Sequence, residues 1–157
     1  MLVQNAIDEI RLKINDRDEI GLDDDELLNY LNEAVQFISA YMVSFRSPQL
    51  VREAVVEDET YTLPENFAQF CGGYPIKQTG SVVQLLDDPP LKLRFFVSYP
   101  ILSEEDEMPF NHIALTQVAI KIASVYANAQ ERLDISQDKT LVQELQQAVA
   151  ASMGAGE

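Results

Sequence analysis

The 157-residue chain is poor in the residues that do chemistry: Cys71 and His112 are each the only one of their kind, and there is no tryptophan. A lone cysteine excludes an internal disulfide framework and any multi-cysteine metal site. Beside Gly72 and Gly73 it reads as a small buried hydrophobe. A lone histidine leaves no ligand pair and no complete triad, so His112 reads as a helix-boundary residue rather than a catalyst. No phosphate-binding glycine loop occurs, and no serine or cysteine nucleophile has a base nearby in sequence. No apolar run reaches about 18 residues. The first residues, MLVQNAIDEI, contain no basic stretch leading into an apolar one. The expectation is a cytosolic protein with no membrane span, secretory signal, cofactor or metal.

Bases are scarce as well: 11 against 26 acids, a net charge of -15. Ten acids face four bases in residues 1–47, eleven face four in 48–111, and five face three in 112–157. A reader of nucleic acid needs a basic stripe to neutralise phosphates, so sequence-specific nucleic-acid binding is not expected. An acidic surface suits a soluble protein, one that meets a basic partner, or one lining a passage through which DNA slides. Twenty-six acids make some carboxylate pair at glycosidase spacing inevitable, so such a pair carries no signal.

What is present is mostly amphipathic helix within a single domain. In residues 23–45, Leu27, Leu28, Leu31, Ala34, Val35, Ile38, Tyr41, Met42 and Phe45 recur at intervals of three and four. Asp23 is placed to cap this helix, with Glu26 at the capping-box offset and acids at the positive end of the dipole. Ser47-Pro48 disfavours its continuation. Upstream, Leu2, Ala6, Ile7, Ile10 and Ile14 mark a shorter helix, with Arg11 off its apolar face. Asp16, Asp18 and Gly21 match part of a calcium loop, but Ile20 and Leu27 occupy ligand positions, and the segment reads as a turn.

After Pro48 the period changes. Residues 50–57 and 61–64 read as two strands joined by the Asp58-Glu59 turn, residues 67–76 as an irregular crossing, and residues 82–86 and 91–99 as further strands. Lys92 and Arg94 either protect an edge strand or meet a neighbour's carboxylates. Asn111 is placed to cap a helix running to about Arg132, the partner of the 23–45 helix. A last helix from about Gln137 to Met153 carries Leu141, Val142, Leu145, Val149 and Met153 on a narrow stripe flanked by Gln143, Gln146 and Gln147. The fold expected is α+β, mainly α: a four-helix bundle-like core of two N-terminal helices (1–47) and two C-terminal ones (112–157), with a small antiparallel sheet (48–111) inserted between them.

Asp25-Glu-Leu-Leu-Asn-Tyr-Leu-Asn-Glu-Ala34, Tyr61-Thr-Leu-Pro-Glu65, the Leu91-Lys-Leu-Arg-Phe-Phe96 strand leading to Pro100, and Asp134-Ile-Ser-Gln-Asp138 together resemble the head-tail adaptor (connector) proteins of tailed bacteriophages and prophages. The likeness covers most of the chain, through residues that specify helix and packing rather than catalysis. It implies a structural virion protein, made in the host cytoplasm and destined for the virion neck. Such a protein binds the portal protein as a dodecameric ring formed on its template, extends the DNA channel and receives tail proteins. It implies no catalytic residue. Residues 137–157 would dock on the portal, with Leu141, Val142, Leu145, Val149 and Met153 as the partner-binding stripe. Asp23, Asp24, Asp25 and Glu26, with Glu104, Glu105, Asp106 and Glu107, would line the channel. The alternatives are an acidic DNA mimic that inhibits a basic protein, with strong salt dependence, and a carboxylate-dependent glycoside hydrolase.

Overall fold

The computed structural model describes residues 1–16 and 21–155. Among the described residues there are four α-helices and two three-stranded antiparallel sheets, about 47% helix and 20% strand, an α+β fold that is mainly α. The helices are α1 (Val3–Lys13), α2 (Asp24–Ser44), α3 (Ile113–Ala129) and α4 (Lys139–Ala155). The strands are β1 (Val51–Val56), β2 (Thr60–Thr62), β3 (Phe67–Phe70), β4 (Ile76–Thr79), β5 (Val82–Leu85) and β6 (Leu91–Val97). The chain divides into two compact units: a helical one, Met1–Ser39 with Ile101–Glu157, and a β-rich one, Ala40–Pro100.

Helix α2 begins where its capping residue dictates: the Asp23 carboxylate accepts from the Glu26 amide at 2.8 Å. Leu27, Leu31, Ala34, Val35, Ile38 and Met42 are all buried, while Phe45, outside the helix, is exposed. The helix stops at Arg46, which adopts φ 55° so that the Ser47 amide reaches back to the Met42 carbonyl at 3.0 Å. Helix α3 packs on α1 and α4 and meets α2 through Tyr30 and Tyr126, whose rings are 6.4 Å apart. Ten of its 17 residues are buried, more than one stripe can hold, so α3 is the central helix of its unit. Two boundaries differ from expectation. The cap is His112, not Asn111, with Nδ1 accepting from the Ala114 amide at 3.1 Å. The helix ends at Ala129 because Gln130 turns left-handed, which leaves Leu133 beyond it.

The β unit corrects the expected single sheet and its first hairpin. Strands β1 and β2 do not pair with each other: one sheet runs β1-β6-β3, the other β2-β5-β4. The segment expected to be irregular supplies β3, with a bulge between Phe67 and Gln69, and the start of β4. Strands β4 and β5 form a hairpin across Gly80-Ser81, with Gly80 at φ 60°. Val56, Leu93, Phe95 and Val97 from one sheet meet Val83 and Leu85 from the other in one apolar cluster with Leu63. Strand β6 is central rather than an edge. Lys92 and Arg94 turn to Glu53 on β1 at 3.0 and 3.8 Å, so their carboxylate partner is in the same sheet.

Candidate functional site

The acids at the start of α2 do two different things. Arg11, expected off the apolar face of α1, is instead 4% exposed. Its guanidinium donates to Asp24 Oδ1 at 2.6 and 3.2 Å, to the Leu22 carbonyl at 2.7 Å and to Asp16 Oδ2 at 3.3 Å. Asp16 also accepts from the Gly21 and Leu22 amides, both at 3.1 Å. The carboxylate that began the partial calcium pattern is therefore spent on a buried arginine and on loop amides; Asp18 and Ile20 lie outside the described residues. Asp23 caps and Asp24 pairs, whereas Asp25 and Glu26 are exposed.

The second acidic cluster lies on the loop after Pro100. Asp106 Oδ2 accepts from the Ser103 amide at 2.7 Å, and the loop joins the N-terminus through Val3 N to Asp106 O at 2.9 Å and Met108 N to Met1 O at 2.8 Å. Glu105 and Glu107 are exposed and Glu104 half-buried. The loop is fixed to α2 by Asn32, whose amide nitrogen donates to the Leu102 carbonyl at 3.0 Å while its oxygen accepts from the Leu102 amide at 2.7 Å. Asn32→Ala strands both main-chain groups, and a loss of about 1–3 kcal/mol is expected. Chemical denaturation measures it, and amide exchange at Leu102 should quicken.

Leu141, Leu145 and Val149 do not form the open stripe that partner binding required. All three are buried in the helical unit, and Val142 and Met153 are half-buried. Asp138 starts α4, its carboxylate accepting from the Leu141 amide at 3.1 Å, and the stripe falls on the side that packs against α3. Gln143, Gln146 and Gln147 are exposed on α4, as are Lys139, Thr140, Ala150, Ala151 and Gly154. The last two residues of the proposed docking element, Gly156 and Glu157, lie outside the described residues.

A cleft of about 300 Å³ opens where Phe37 of α2, Tyr126 of α3 and the segment Arg132–Ile135 meet. Leu133 and Ile135 supply aliphatic wall, and Asp134 is engaged by the Ser136 amide at 3.0 Å and the Ser136 hydroxyl at 2.6 Å. These bonds hold the Asp134 carboxyl below its ordinary range. The Tyr126 hydroxyl is buried without a well-aligned hydrogen bond, although the Arg132 guanidinium lies beside it. Burial pushes its pKa up, opposed by Arg132 and assisted by Glu33, so the phenol keeps its proton and can donate. Nothing in the spacing of these residues marked them as neighbours, because the cleft exists only once Gln130 ends α3 and the chain doubles back. His112, at the opposite end of α3 from this cleft, is absorbed in capping.

Among the described residues no three His, Cys, Asp or Glu side chains are grouped to hold a metal ion, and no helix is long and apolar enough to cross a membrane. No known protein family matches the chain, and no curated protein matches it.

Proposed function

We propose that this chain is a head-tail adaptor of a tailed bacteriophage or prophage, a structural protein that binds the portal as a ring, extends the DNA channel and presents a platform for tail proteins. The observation that carries the reading is the division of labour within each acidic cluster. Asp23, Asp24 and Asp106 are committed to the fold, while the carboxylates of Asp25, Glu26, Glu105 and Glu107 face solvent with no partner among the described residues. Charges displayed on rigid anchors repel DNA without binding it. Because the apolar stripe of α4 is covered, docking on the portal uses the glutamine face of that helix, whose uncharged groups desolvate more readily than lysine or glutamate.

The test is to mix the purified chain with portal rings and follow co-sedimentation and electron micrographs. Ring-shaped density on the portal is expected, and its absence at high concentration removes the reading. On assembled particles, neutralising Asp25, Glu26, Glu105 and Glu107 together is expected to slow DNA ejection; an unchanged rate removes the channel-lining role. Tight, salt-sensitive binding to a basic nuclease instead would favour the DNA-mimic alternative.

A further inference from the structure

The cleft at Tyr126 and the loop after Pro100 are different patches of the helical unit. Tyr30 and Phe37 are seven residues apart and so share a face of α2, the one that meets Tyr126; Asn32, which grips Leu102, lies about 200° round the helix from Tyr30. Contacts that join unlike patches on successive copies are heterologous, and they close into a ring when the rotation from copy to copy closes. The two patches are also complementary. The cleft offers a cation, the Arg132 guanidinium, which lies beside the buried Tyr126 hydroxyl and among the described residues pairs with no carboxylate. Its walls are Phe37, Leu133 and Ile135; among its lining residues the acid is Asp134, occupied by Ser136, and Glu33 lies near enough to act on Tyr126. The loop offers acceptors on Glu105 and Glu107, and Ile101, which at 72% exposure is the most exposed large apolar side chain described.

We infer that this cleft receives the Ile101–Glu107 loop of a second copy of the chain, Ile101 lying against Phe37 and Leu133 and a loop carboxylate binding Arg132. The contact deepens the ring reading and rests on it for closure. Arg132 supplies the charge-assisted bond, and the apolar walls exclude water from it.

The experiment uses the full chain without portal, followed from micromolar to millimolar concentration by sedimentation velocity and by the methyl resonances of Ile101, Leu133 and Ile135. Concentration-dependent association that shifts all three methyls is expected. Arg132→Glu alone, and Glu105→Lys with Glu107→Lys, should each weaken association by about tenfold or more, and an equimolar mixture of the two variants should restore it. A wild-type chain that stays monomeric at millimolar concentration, an Arg132→Glu chain that associates normally, or a mixture that fails to recover overturns the contact. Portal binding by chains that fail these tests would leave the adaptor reading standing, and association without portal binding would do the reverse.

Discussion

Replacing Arg11 with alanine is expected to lower the stability of the helical unit by about 3–5 kcal/mol, the cost of removing one partner from a buried ion pair. The guanidinium is the common donor to Asp16, Asp24 and the Leu22 carbonyl. Without it, the Leu22 carbonyl loses its donor and two carboxylates face each other across an apolar corner. The side chain of Asp16 is 14% exposed and that of Asp24 33%, so water can reach Asp24 better than Asp16. The Arg11→Ala loss should therefore be relieved more by Asp16→Asn than by Asp24→Asn in double-mutant cycles. The measurement is the urea midpoint at constant m value. A shift of less than about 1 kcal/mol would mean that the corner is solvated and the cluster is a surface one.

Leu145→Ala is the second large effect, expected at about 2–5 kcal/mol in the isolated chain. Leu145 is fully enclosed on the side of α4 that meets α3, so truncation leaves a cavity whether or not any partner is present. Had the stripe been a free docking face, the same change would alter monomer stability by no more than about 0.5 kcal/mol and act only on binding. Thermal and urea unfolding of the purified variant separate these outcomes, with Gln146→Ala on the exposed face as the comparison expected to stay near wild type.

Local signals were readable where their causes are local. Asp23 caps α2 because a side-chain oxygen three residues before an amide needs no distant partner, and Leu93, Phe95 and Val97 share a buried face of β6 as strand geometry requires, although Phe96 on the other face is buried too. Strand pairing is not local. Residues 50–64 carry a hairpin pattern, yet β1 finds its partner in β6, about 40 residues on, and β2 in β5. The Gly80-Ser81 pair between β4 and β5 was the available sign of the true hairpin, a two-residue turn with a glycine where φ must be positive. Arg11 was hidden by its charge, although it stands four residues after Ile7 and so on the same face; only the carboxylates of Asp16 and Asp24 make that burial affordable. The acidic clusters were legible as charge, but the sequence could not say which members the fold would consume. The cleft was not legible at all, since it depends on where α3 stops.

The Asn32 clamp joins residues 70 positions apart within one unit, with the whole β unit threaded between them. Completing the helical unit therefore demands the closure of a long loop, an entropic cost that grows only as the logarithm of its length. The intervening strands form their own core, so if the inserted unit condenses first, the helices before and after it are brought together across a much shorter effective tether.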